Sequence, residues 1–137
     1  MIPYNKIILR KELSSLSSKV ILYKENYEFL PRRFREKIEQ DLDFIMNAQI
    51  PELKKIYLFG SCARGEIRSS SDVDLLILTE HKIENRELSA NIRWSLDEPR
   101  EGVRTDIVYM NEQSELPDTV FKNLLNRDKK IILEVVE

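Results

Sequence analysis

The sequence predicts an α/β (α+β) protein: a mixed β-sheet of about three to five strands flanked by helices. Three observations point there. Apolar stripes at helical spacing come first, strand and helix patterns then alternate, and the first two strong strands are joined by only about a dozen residues. At 137 residues the chain is long enough for one domain with a real core and short for two. The expected organisation is a single domain over 1–137, with 1–27 as an N-terminal helical extension.

The elements follow in order. Leu9, Leu13, Leu16 and Val20 recur at helical spacing, which predicts a helix over 5–23, although the serines at 14, 15, 17 and 18 weaken its propensity. Pro31 opens a second helix at its first position, with Phe34, Ile38, Leu42, Ile45 and Met46 inward and Pro51 beyond its end. KKIYLF, 54–59, reads as a strand ending at Gly60, and 61–66 as a turn or helix start. Residues 67–71 read as an exposed loop. DVDLLILT, 72–79, is rich in branched apolar side chains and is the clearest strand. Leu88, Ile92 and Leu96 predict a helix over 84–97 stopped by Pro99, with Trp94 also expected in the core. VRTDIVYM, 103–110, is a third strand. Pro117 opens a last helix with Val120, Phe121, Leu124 and Leu125 inward, and KIILEVV closes the chain as a strand or a helical tail.

Composition narrows the function. Apolar residues make up 42% and charged residues 34%, a soluble globular balance. Twenty-two basic and 24 acidic residues leave a net charge of −2, which argues against a broad nucleic-acid surface. No apolar run approaches the roughly 18 residues of a membrane span, and MIPYNKIILRKELSS is too charged for a signal peptide. One cysteine, Cys62, makes no internal disulfide, so a cytoplasmic protein is expected. Cys62 reads as a packing residue and the lone His81 as an exposed turn residue. Together they do not make a zinc site of the usual type.

The chemistry concentrates in GSCARGEIRSSSDVDLLIL, 60–78. Two of the three glycines, Gly60 and Gly65, lie in it. Gly60 and Ser61 sit between a strand and a helix start, where free backbone N–H groups and a hydroxyl suit anionic oxygens. Ten residues on, Asp72 and Asp74 stand two apart in a predicted strand and therefore point to one face. Two carboxylates on one face repel unless a cation lies between them, and magnesium prefers such oxygen ligands. Asp106, inside an otherwise apolar third strand, approaches the pair if the two strands are neighbours. Three carboxylates can hold two metals, and Asp106 is also placed to accept a hydroxyl proton. Arg64 suits a phosphate or the acidic cluster. Taken singly, Gly-Ser is usually a turn, Asp-x-Asp a strand start, Asp106 an edge residue and Arg64 a surface ion-pair partner. Their order on strand ends is what points to phosphoryl or nucleotidyl transfer.

IYLFGSCARGEIRSSSDVDLLIL followed by VRTDIVYM resembles the DNA polymerase β-type nucleotidyltransferase superfamily, and within it the minimal nucleotidyltransferases. The resemblance spans roughly 35–135, is most specific over 54–79 and is weaker over 80–102. It implies magnesium and a nucleoside triphosphate, commonly ATP, with Asp72 and Asp74 as metal ligands. Asp106 would complete the site, and Gly60 and Ser61 would touch the triphosphate. Larger relatives carry a second domain for the acceptor, for which 137 residues leave no room. The acceptor is therefore expected on a partner protein or in a pocket built by a homo-oligomer. Minimal members often act as antitoxins beside a HEPN-type RNase toxin, some by transferring AMP to it. Two other readings are a non-catalytic antitoxin acting by complex formation and a dimeric adenylyltransferase of small molecules such as aminoglycosides. Nucleic-acid polymerisation ranks last.

Overall fold

The structure, a computed structural model, describes residues 5–10, 18–113 and 128–136. Its strands are β1 (Asn5–Arg10), β2 (Ser18–Tyr23), β3 (Leu53–Phe59), β4 (Val73–Thr79), β5 (Thr105–Asn111) and β6 (Lys130–Val136). Its α-helices are α1 (Arg32–Asn47), α2 (Gly60–Arg64) and α3 (Arg86–Asp97). The strands form one six-stranded sheet in the order β1-β2-β6-β3-β4-β5. All pairings are antiparallel except β4 with β5, which run parallel and are joined through α3. The expected mixed sheet with flanking helices is present, one strand wider than the upper expectation.

The extra width comes from the N-terminus. The helix expected over 5–23 is not formed: 5–10 and 18–23 are antiparallel strands, with Ile7 opposite Ile21. The apolar spacing that suggested a helix also fits two runs, Ile7-Ile8-Leu9 and Val20-Ile21-Leu22, whose branched side chains favour strands. Serines between them remove what helical propensity remained. The unpaired edge of β6 decides the matter, because β2 pairs along it with Val20 opposite Val135 and Leu22 opposite Leu133. β6 itself resolves the chain's end as a strand, inserted between β2 and β3. The helix expected from Pro117, with Val120, Phe121, Leu124 and Leu125, lies outside the described residues.

α1 starts one residue later than expected, with Pro31 as its N-cap, and buries Phe34, Ile38, Leu42 and Ile45. These pack with Ile56, Leu58, Val73, Leu75 and Ile77 of the sheet. Each fully buried aliphatic side chain contributes about 1.5–3 kcal/mol relative to exposure. Lys37 and Asp41 occupy the same buried stripe, at the third and seventh positions after Phe34, and are 2% exposed. α3 is capped by Asn85, whose side chain accepts from the Leu88 N–H at 3.0 Å. It buries Ile92 and Leu96 as expected. Trp94 is not in the core: it is 80% exposed. Two residues along a helix is a rotation of about 200°, so a stripe through Ile92 places Trp94 outward despite its size.

Candidate active site

The topology brings the predicted residues to one end of the sheet. Antiparallel pairing sets Phe59, the last residue of β3, opposite Asp74 near the start of β4. Parallel pairing sets Asp74 opposite Asp106 at the start of β5. The end of one strand and the starts of two others therefore share one rim. The Val73 N–H donates to the Arg104 carbonyl at 2.9 Å and locks the two starts together. Asp72 lies just before β4 and shares the face of Asp74. Thr105 and Tyr109 bond to Asp41 of α1 and Ser89 of α3, so they face the helices. By strand alternation Asp106 faces the other way, onto the side of Asp74.

Asp72 and Asp106 are exposed and Asp74 is half-buried. Burial, then the charges of Asp106 and Asp72, push the Asp74 carboxyl up to about 6, while Arg64 pulls it slightly back. Among the described residues none of the three carboxylates is in an ion pair. The site is therefore short of positive charge, and a hard divalent cation with oxygen ligands fits it. The three carboxylates are neighbours without closing to within 4.8 Å of one another. Among the described residues the trio that does so is Glu52, Glu80 and His81. That trio lies at the opposite end of β3 and β4, where Leu53 pairs with Thr79, about 20 Å away along the strands. It holds His81 exposed, with Nδ1 at 2.9 Å from Glu52, which raises the imidazole pKa.

Gly60 is where the backbone needs glycine. Its φ is +73°, and a Cβ there would stand 2.5 Å from Asp74 Oδ2. The Gly-Ser turn thus lies against the central carboxylate. Ser61 follows, half-buried, in the single turn of α2, which ends at Gly65 with φ +72°. Cys62 is buried as expected, its thiol 3.5 Å from the Asp72 carbonyl. Burial and the charges of Asp74 and Asp72 push that thiol to about 12, so it is no nucleophile at neutral pH. Arg64 binds Glu66 and Asp128, each at 3.2 Å, and reaches Asp74 only through its field.

One part of the site was not anticipated. A cavity of about 570 Å³ runs along the outer strand β5, lined by Arg93, Trp94 and Asp97 of α3 and by Thr105, Asp106 and Tyr109. Its wall is fixed: Tyr109 donates to the Ser89 carbonyl at 2.7 Å, and Arg93 donates to the Ile107 carbonyl at 2.9 Å. The sequence signal was an aromatic residue off the apolar stripe of α3.

A mixed sheet with acidic strand starts beside a glycine-serine turn defines a phosphoryl- or nucleotidyl-transfer class of protein. The chain belongs to the polymerase beta, nucleotidyltransferase family, whose sequence model matches residues 36–134. No curated protein matches it significantly. Among solved structures, it is similar to a chain of a toxin–antitoxin crystal structure with AMP-PNP, at 26% identity and TM-score 0.45, covering 68% of this chain and 70% of that one. A mutant of the toxin–antitoxin MntA–HpeT also gives 26% identity and TM-score 0.45, covering 69% and 70%. The complex of tri-AMPylated Shewanella oneidensis HEPN toxin with MNT antitoxin gives 23% identity and TM-score 0.41, covering 68% and 69%. Among the described residues, no helix is long and apolar enough to cross a membrane.

Proposed function

We propose that this chain is a magnesium-dependent nucleotidyltransferase that moves AMP from ATP to a hydroxyl on a partner protein. The observation that carries the reading is the meeting of Asp72, Asp74, Asp106 and Gly60 on one rim, with the carboxylates uncompensated. Asp72 and Asp74 would hold two metal ions between them, with Asp106 completing the ligand set. The chemistry metal ions would supply there is neutralisation of the triphosphate charge and a lowered pKa of the attacking hydroxyl. The Gly60-Ser61 backbone and the Ser61 hydroxyl orient the triphosphate. Arg64, held by Glu66 and Asp128, adds positive field. Asp106 takes the acceptor's proton as its oxygen bonds to the α-phosphorus and pyrophosphate leaves.

Asp106 stands at the edge of the cavity under Trp94, where β5 is the outer described strand, so an acceptor seated there lies next to the rim that carries the carboxylates. The sequence resemblance makes a HEPN-type toxin the favoured acceptor. Incubating the pair with ATP and magnesium should add one or more AMP masses to the partner. Transfer that persists unchanged in the Asp72→Asn, Asp74→Asn double variant removes these carboxylates from the mechanism. The exposure of Trp94 favours a second reading, neutralisation by complex formation alone. On that reading the same double variant still neutralises the toxin.

A further inference from the structure

We propose that the buried Lys37–Asp41 pair, acting through Thr105, is the positioning device that sets Asp106 against Asp74. This rests on the reading of Asp106 as a metal ligand. The inward face of α1 is otherwise apolar, with Phe34, Ile38, Leu42 and Ile45 around the pair. Burying an ion pair there costs desolvation that apolar side chains of the same size avoid, so packing alone gives it no reason.

Its hydrogen bonds supply one. Lys37 Nζ donates to Asp41 Oδ1 at 2.5 Å and to the Leu96 carbonyl, in the last turn of α3, at 2.9 Å. Thr105 Oγ1 donates to the other carboxylate oxygen, Asp41 Oδ2. One buried pair thus ties α1, the end of α3 and the start of β5. Among the described residues β5 is the outer strand of the sheet and pairs only with β4, so within them its first residues have ladder support on one side. Successive strand residues point to opposite faces. Holding Thr105 inward by a directional bond therefore sets the rotation of β5, and with it the aim of Asp106 on the far face. A slip of one residue would carry Arg104 or Asp106 into the buried site in place of a hydroxyl, at the desolvation cost of a third charge. The bond to Leu96 also places the α3 wall of the cavity that Asp106 lines.

The test uses Mn2+ as the probe, with affinity read from the electron paramagnetic resonance signal of the free ion, alongside thermal unfolding. Thr105→Val removes the hydroxyl at constant shape and should weaken Mn2+ binding 10–100-fold, the range seen for residues that orient metal ligands. Thr105→Ser should restore affinity to within about threefold, since it returns the donor. The double variant Lys37→Met, Asp41→Leu, which removes both charges and leaves only neutral groups unpaired, should be less destabilised than Lys37→Ala and still lose about tenfold or more in Mn2+ affinity. Mn2+ affinities within twofold of the parent in both Thr105→Val and the double variant overturn the positioning role and leave the metal-site reading standing. A parent protein that does not bind Mn2+ overturns both.

Discussion

Gly60→Ala tests the closest contact in the site. The residue sits at φ +73°, where an L side chain costs about 1–2 kcal/mol. The added Cβ would also stand 2.5 Å from Asp74 Oδ2 and 3.3 Å from its Cγ. Oδ2 is the free end of a side chain, so the carboxylate can turn away at an off-rotamer cost of order 0.5–1.5 kcal/mol. The sum, about 1.5–3.5 kcal/mol, should lower Tm by roughly 10 °C in a chain of this size. The larger effect falls on the proposed chemistry: relief comes by rotating Asp74, and if Asp74 is the central metal ligand, divalent-cation affinity should drop at least about tenfold. Gly65→Ala is the matched control. It has φ +72°, but its nearest neighbour, Phe29 Cε2, is 3.8 Å away. It should lose a similar 1–2 kcal/mol to backbone strain and keep its metal affinity. The assay is thermal denaturation without metal, followed by Mn2+ titration. Equal Mn2+ affinity in the two variants would refute the argument that glycine is needed at 60 to admit the carboxylate.

Other outcomes follow from the same structure. Asp74 binds its proton more tightly folded, at about 6, than unfolded, so metal-free stability should fall as pH rises from about 4 through 6. The unscreened value is about 3 kcal/mol, reduced to order 1 kcal/mol for a half-exposed group. Melting curves across that window should show the loss, its reversal by Mg2+ at pH 7.5, and its absence in Asp74→Asn; a flat profile would contradict it. Lys37→Ala, which strands a buried carboxylate, should cost about 3–5 kcal/mol by urea unfolding. Trp94→Ala should change stability by no more than about 0.5 kcal/mol, because the residue is 80% exposed. It should still weaken acceptor modification about tenfold or more if the cavity seats the acceptor. The exposed, solvent-screened His81–Glu52 pair should show no measurable coupling in a double-mutant cycle at pH 6.

Local patterns in the chain were enough for α1, α3 and the three strands that carry the site, because each has an unbroken apolar period of its own. They failed at 5–23, where one apolar spacing suits either a helix or two short strands and the edge of β6 chooses. They also failed at Trp94, where size was read as burial against the geometry of its helix. Lys37 and Asp41 stand one helical turn apart and carry no signal of burial in their own residue types. Only their place on the stripe of Phe34, Ile38 and Leu42 marked them as inward.

Residue types and spacing alone determined which side chains belong to the candidate site: Gly60, Ser61, Asp72, Asp74 and Asp106. Motif chemistry depends on identity and order, which a sequence carries directly. The tertiary structure decided that these residues meet. β3 must run antiparallel to β4, and β4 parallel to β5, for one strand end and two strand starts to share a rim. It also decided what stands behind Asp106 and beside it, the buried pair on α1 and the cavity under Trp94. Pairing partners, burial and unbalanced charge are properties of residues far apart in the chain, and they exist only once the sheet has closed its order.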